Sequence, residues 1–363
     1  MNTKNSISVC GQGRSPGYFS TVAFLILISL LTAHAGGQLA SIPDPAINPG
    51  AGGGGDSGAP ILSVDGRYVL FSSTAENLVL TTSSNAFPVL LAPRLNVFLR
   101  DRVSNTTALV SVNAAGAGGG DNDSAPAGIS TNGQYVLFAS RADNLVTNVV
   151  TGAGDIFIRD VVNNITSLVS VNTNGGGGNG ESRTPVMTSD GRFVAFVSAA
   201  TNLVAGYTNQ VVEDIFVRDL QAGATTLASV GAKGGGGSES PEITPDGRFV
   251  AFFSTATNLV RGVTNAGEVY VRNLSVGTTY WASTNAQGIV QSVAGFTNYI
   301  AYDPQISTNG QFVAFTAKPA NPVNPANPVT IQGVVLRYNL LTGLTDVVFT
   351  NASGALYGIE RDA

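Results

Sequence analysis

The stretch Ser189-Asp190-Gly191-Arg192-Phe193-Val194-Ala195-Phe196-Val197-Ser198 decides the reading of this chain, because near copies stand at Ser63–Ser73, Thr131–Ser140, Pro245–Ser254 and Thr308–Thr316. With the turn glycine as marker, Gly66, Gly133, Gly191, Gly247 and Gly310 are 67, 58, 56 and 63 residues apart, which is a repeat period. Asp-Gly or Asn-Gly between two apolar runs predicts a hairpin, since a type I′ turn needs positive φ at both central residues. The run that follows, Phe193 to Val197, is apolar on both faces. That suits a strand enclosed between two neighbouring sheets.

Each full repeat holds four short apolar runs, which in the third are Thr184–Thr188, Arg192–Ser198, Asp214–Asp219 and Thr225–Val230. The other repeats place third strands at Asn96–Asp101, Asp155–Asp160, Glu268–Asn273 and Gly333–Tyr338. Their fourth strands fall at Thr107–Asn113, Thr166–Asn172, Thr278–Thr284 and Thr345–Asn351. No segment has a sustained helical period, so the fold class is all-β, a β-propeller of four-stranded antiparallel blades. The repeats run at about 57–113, 124–172, 182–232, 240–286 and 302–352. Phe71, Phe138, Phe196, Phe252 and Phe315 recur at one position and are expected to pack between blades. Gln38–Ile42 matches Thr226–Val230, the fourth strand of a repeat, and predicts a ring to be completed by sequence beyond Ala363. The alternative is a ring of five blades with Gln38–Ile42 as an added edge strand.

Val22–Thr32 is an apolar run preceded by Lys4 and Arg14 and followed by Ala33-His34-Ala35, which predicts a secretory signal peptide at residues 1–35 and a propeller domain at 36–363. The product would be exported, to periplasm, cell surface or medium, with no membrane span after cleavage. Cleavage removes Cys10 and His34, the only cysteine and histidine of the chain. Thiol nucleophiles, histidine-based triads, zinc sites built on these residues and disulfides are then excluded by inventory. Without Lys4 and Arg14 the chain has 16 basic and 23 acidic side chains, a formal charge of −7, which disfavours a nucleic-acid partner.

A proline, a Ser/Thr-x-Asp/Asn-Gly turn, an apolar strand and then Asp-Ile-Phe-Val-Arg-Asp resemble the repeats of TolB-type, WD-repeat-like bacterial propellers, from Gln38 to about Asn351. The resemblance implies an exported protein that binds other proteins. The fifth repeat departs from it. There Asn321-Pro322-Val323 replaces Asn-Leu-Val, and no acidic residue begins the third strand.

In a four-stranded meander the short turns share one end of each blade and the long connections share the other, which makes the long-loop face the candidate binding face. The Arg-Asp pairs Arg100-Asp101, Arg159-Asp160 and Arg218-Asp219, with Arg272-Asn273, recur at one phase and read as structural hydrogen bonds. Asn77, Asn144, Asn202 and Asn258 of the Asn-Leu-Val repeats read as residues bonding the backbone of their own turn. The glycine runs end in no Gly-Lys-Ser/Thr and lead into no helix. They read as flexible connectors, not phosphate loops.

After those glycines come Asp56, Asp123, Glu181 and Glu239, expected to form an acidic ring that takes Ca²⁺ or a basic partner. Solvated charges that keep glycine-rich loops soluble are the plainer account of the same residues. The function that fits is an exported, non-enzymatic scaffold that binds a protein or other ligand through its long-loop face, with no catalytic or cofactor-binding residue. The alternative is a carboxylate-dependent glycoside hydrolase or a glycan-binding propeller, since two carboxylates suffice for glycosidic cleavage. Against it stand the absence of a Ser-x-Asp-x-Gly-x-x-Trp box and the single tryptophan, Trp281.

Overall fold

The computed structural model describes residues 53–79, 94–207, 212–232, 236–295, 297–320 and 332–353. All of them belong to the compact unit Ser41–Ala363. The expected signal peptide, the strand Gln38–Ile42 and Asn321-Pro322-Val323 lie outside the described residues.

Five blades follow one another in the chain. The first is β1 (Ser57–Leu62), β2 (Tyr68–Ser73), β3 (Asn96–Asp101) and β4 (Thr106–Leu109); the second is β5 (Ser124–Ile129), β6 (Tyr135–Ser140), β7 (Asp155–Asp160) and β8 (Ile165–Leu168). The third is β9 (Ser182–Met187), β10 (Phe193–Ser198), β11 (Asp214–Asp219) and β12 (Ala224–Leu227), and the fourth is β13 (Ser238–Ile243), β14 (Phe249–Ser254), β15 (Glu268–Asn273) and β16 (Thr278–Trp281). The fifth is β17 (Tyr299–Ile306), β18 (Phe312–Pro319), β19 (Gln332–Asn339) and β20 (Thr345–Ser353). Each blade is a separate antiparallel sheet with its strands in sequence order. The fold is a β-propeller of four-stranded blades.

The hairpin that marks each repeat is built differently from the type I′ turn expected. Its glycine has positive φ, from +67° at Gly66 to +80° at Gly191, but the Asp or Asn before it does not. The reason is a side-chain lock. The hydroxyl of Ser63, Ser130, Thr188, Thr244 or Ser307 donates to Asp65, Asn132, Asp190, Asp246 or Asn309 at 2.6–2.7 Å. The same hydroxyl accepts the N–H that opens the next strand, for example Phe193 at 3.0 Å. The glycine N–H then closes the turn on the Ser/Thr carbonyl at 2.8–2.9 Å.

That glycine also touches the preceding blade. A methyl added at Gly133, Gly191, Gly247 or Gly310 would lie 2.2–2.6 Å from the ring of Tyr68, Tyr135, Phe193 or Phe249 respectively. The turn is therefore a blade-to-blade contact as well as a chain reversal. Gly66, in the first blade, meets no ring among the described residues.

Between blades the apolar second and third strands interdigitate. Leu70, Val97 and Leu99 pack on Val136, Phe138 and Phe157. Leu137, Ile156 and Ile158 pack on Val194, Phe196 and Phe216, and the next two junctions repeat the pattern around Phe252 and Phe315. All five phenylalanines singled out by the repeat are buried. The fourth strands of the first four blades end earlier than expected, at Leu109, Leu168, Leu227 and Trp281. The cause is a serine shortly beyond, which leaves the ladder and bonds back to the start of the third strand, as Ser170 Oγ accepts the Ile156 N–H at 3.0 Å.

One helix was not anticipated: α1 (Ala286–Ala294) joins the fourth blade to the fifth. Ala286, Ile289, Val290 and Val293 do follow helical spacing, but over only nine residues with Gly288 inside. Ala286 and Val290 are buried against the fifth blade, and Gly295 at φ 74° ends the helix.

Candidate functional site

Strand register gathers the long connections at one end. Ser57 pairs with Ser73, and Ser73 with Asn96, so the lead-in to the first strand and the loop from second to third strand share that end. The other blades repeat this register.

The glycine-rich loops there, expected to be flexible connectors, are packed over part of their length, although a methyl at Gly116 or Gly175 would meet nothing within 4 Å. A methyl at Gly55 would lie 2.6 Å from the Thr74 side chain, and at Gly178 or Gly120 it would lie 2.8 Å from the Ala200 or Ala142 methyl. At Gly236 it would sit 2.3 Å from a backbone nitrogen. Glycine is present because the chain runs against the following loop with no room for a side chain. In the first three blades the Asn of Asn-Leu-Val holds this arrangement, by a longer reach than its own turn. Asn77, Asn144 and Asn202 accept backbone N–H groups from Gly54, Asp121 and Asn179, at 2.7–3.1 Å.

Three of the four acidic residues stand in one frame. The carbonyls of Asp56, Asp123 and Glu181 accept the N–H of Thr74, Arg141 and Ala199 at 2.9–3.1 Å. In the fourth blade that position belongs to Gly237, which accepts from Thr255 at 2.9 Å, and Glu239 lies two residues further on, opposite Phe253. Glu239 thus occupies the register of Arg183, which the sequence alone did not reveal. The innermost strands bulge at this end, with Ala59, Thr184, Ser240 and Asp303 at φ 45–54° just before a proline. Such bulges redirect side chains locally.

The acidic residues of blades two to four each engage the blade before them. Asp123 Oδ1 accepts the Leu95 N–H at 2.8 Å. Glu181 pairs with Arg141 at 3.0 Å. Arg183 pairs with Glu213 at 2.5 Å and reaches Glu239 at 3.7 Å. All remain accessible to solvent, and among the described residues no three His, Cys, Asp or Glu gather in a group able to hold a metal ion. The rim carries charges of both signs, with Glu181, Glu213 and Glu239 beside arginines.

The recurring Arg-Asp pairs are architecture. Arg100, Arg159, Arg218 and Arg272 reach Thr107, Thr166, Thr225 and Thr279 across the hairpin at 3.0–3.1 Å. Asp101, Asp160, Asp219 and Asn273 each accept two backbone N–H groups of the following turn. Arg67 beside Asp101 holds that carboxyl well below the usual range, and Arg192 lowers that of Asp219. These lie at the short-turn end, away from the rim.

A second row of carboxylates, buried at the long-loop end, opens the third strands: Asp155, Asp214 and Glu268. The hydroxyls of Ser170, Ser229 and Ser283 donate to them. Desolvation pushes the Asp155 and Glu268 carboxyls above their ordinary values. The sequence showed these acids as part of the repeat motif but gave no sign that they are buried.

No protein-family model and no curated protein matches the sequence. Solved structures do resemble it. A TolB-type protein from Agrobacterium tumefaciens is 18% identical, with 83% of each chain covered and a TM-score of 0.44. TolB from Acinetobacter baumannii is 15% identical over 70% of this chain and 49% of its own, with a TM-score of 0.39, so this chain spans about half of that protein. An oligogalacturonate lyase in complex with manganese is 13% identical over 79% of this chain and 63% of its own, at 0.47. TolB-type propellers, the kind the repeats resemble, are thus among the similar structures. Enzymes are present beside them, and similarity at this level carries no activity to this chain.

Proposed function

We propose that the protein is an exported, non-enzymatic scaffold that binds a protein through the long-loop end of its blades. The observation that carries this reading is the rim itself. Packed glycines immobilise the lead-in loops, and on them Asp56, Asp123 and Glu181 occupy equivalent positions with Arg141, Arg183, Glu213 and Glu239 among them. Exposed charges of both signs on a rigid backbone favour recognition of a complementary charged surface, giving orientation and on-rate more than raw affinity. A basic or mixed-charge protein surface is the ligand class that fits a chain of this acidity.

The test is retention of proteins from the exported fraction on the immobilised chain at low and high salt, compared with the variant carrying Ala at 56, 123, 181 and 239. A salt-sensitive partner lost by the variant supports the reading. Equal retention by both, or release of reducing sugar from a panel of polysaccharides, would overturn it.

A further inference from the structure

We infer that Asp155 and Glu268 are proton-operated latches that set how firmly the long-loop end is held. The inference rests on three facts of geometry.

First, each carboxylate fastens separate pieces of chain. Glu268, at the start of β15, receives Tyr299 Oη at 2.7 and 2.9 Å, Trp281 Nε1 at 3.1 Å and Ser283 Oγ. Tyr299 opens the fifth blade, while Trp281 and Ser283 lead into α1, so one carboxylate ties two blades and their linker together. Asp155 accepts Ser170 Oγ at 2.6 Å, and the Gly178 N–H favours its charged form. Gly177 lies so close that a methyl there would be 3.0 Å from Asp155 Oδ2. Asp155 therefore anchors the glycine loop between blades two and three.

Second, among the described residues no cation faces either group, and the hydrogen bonds that favour the charged form are outweighed by burial. The titratable groups facing Glu268 are Tyr270 and Tyr299, whose phenols burial and the carboxylate push still higher, so both stay neutral. Around Asp155 the Ser170 hydroxyl and the Gly178 N–H act, and among the described residues no charged side chain does. Third, the first blade performs the same task without a charge. Asn96 accepts Ser111 Oγ at 2.9 Å, and Ser111 accepts the Val97 N–H at 3.0 Å. The network needs an acceptor at this position, and ionisation adds only an unscreened buried charge.

The sign follows by linkage. Burial raises both folded-state carboxyls above their unfolded values, so the folded protein binds more protons in the window between the two. The latches are fully effective below the ordinary carboxyl range, near pH 4, and weaken as pH rises through the raised folded values. Each can raise the unfolding constant by at most about tenfold per pH unit within that window.

The device acts on the end proposed above as the binding surface, but its test uses no ligand, so the two readings fail separately. The unfolding midpoint and the amide protection of residues 173–181 and 283–299 are measured from pH 5 to pH 8 in the full chain. The wild type should lose midpoint and protection as pH rises. Asp155→Asn with Glu268→Gln should be flat over that range. Ser170→Ala, which takes a donor from the carboxylate, should move the Asp155 transition to higher pH and serves if the double variant fails to fold. A wild type indifferent to pH, a double variant with the wild-type slope, or a Ser170→Ala protein with an unmoved transition would overturn the inference.

Discussion

Blades two to four and blade five solve the same packing problem with different chemistry. In the second blade Ser140 pairs with Asp155, and Ser198 with Asp214 and Ser254 with Glu268 repeat the pair in the third and fourth. In the fifth blade the corresponding pair is Ala317 opposite Val334, both buried. The fifth blade also has longer strands, of eight and nine residues where the others have six and four. A propeller blade of this kind can thus be held by a buried polar network or by a longer ladder with an apolar end. The network contributes specificity of loop placement more than stability, since partly compensated buried charges are seldom stabilising.

The sharpest way to break the comparison is to move the charge without its partners. Val334→Asp places a carboxylate in the fifth blade opposite an alanine, where no serine pair is provided. It should cost about 3–5 kcal/mol, the usual penalty of an uncompensated buried charge. A urea midpoint close to wild type would mean that the fifth blade tolerates what only the serine networks were thought to permit. Phe196→Ala should cost a similar ~3–5 kcal/mol through the cavity left between blades two and three, and an unchanged midpoint would refute the packing assigned to that phenylalanine.

Turn glycines offer a second contrast at smaller scale. Gly191 and Gly66 share positive φ, at +80° and +67°, but only Gly191 faces the ring of a preceding blade. Gly66→Ala should lose about 1–2 kcal/mol for a left-handed non-glycine residue. Gly191→Ala should lose a further ~1–3 kcal/mol because the methyl overpacks against Tyr135. Equal losses in thermal or urea unfolding would show that the turn is not a blade-to-blade contact.

The fold was legible from the sequence because its signal is repeated. A Ser/Thr-x-Asp/Asn-Gly turn before an apolar run appears five times, and third strands such as Asp155–Asp160 and Asp214–Asp219 coincide residue for residue with the observed ones. Local rules served less well where a residue answers to something distant in the chain. The poly-glycine runs read as flexible because nothing in their composition reveals Thr74, Ala142 or Ala200 pressed against them. Asn77 bonds Gly54, 23 residues away, and not its own turn. Glu239 looked like a fourth member of the acidic series, yet the frame is set by which carbonyl accepts Thr255, and that is Gly237. The charges were visible, but Arg141 and Arg183 on the preceding blades, beside Glu181 and Glu239, were not.

The rim carries the smallest expected effects, and these separate stitching from binding. Asp123 accepts an N–H from the first blade, whereas Asp56 has no blade before it among the described residues. Asp123→Ala should therefore destabilise by about 0.5–1.5 kcal/mol, the net worth of one hydrogen bond, while Asp56→Ala should be nearly silent in unfolding and matter only for partner retention. The exposed Arg141–Glu181 pair should show a coupling of ~0.2–1 kcal/mol in a double-mutant cycle, shrinking with salt. Calcium is a further discriminator. With Glu181 and Glu239 already beside arginines and no three carboxylates gathered among the described residues, 10 mM Ca²⁺, a concentration of about ten times a millimolar dissociation constant, should leave the melting temperature where it was. A rise that disappears in the variant with Ala at 56, 123, 181 and 239 would mean that the arginines swing away to admit a metal, and the rim would then be a cation site and not a charge-matched surface for protein.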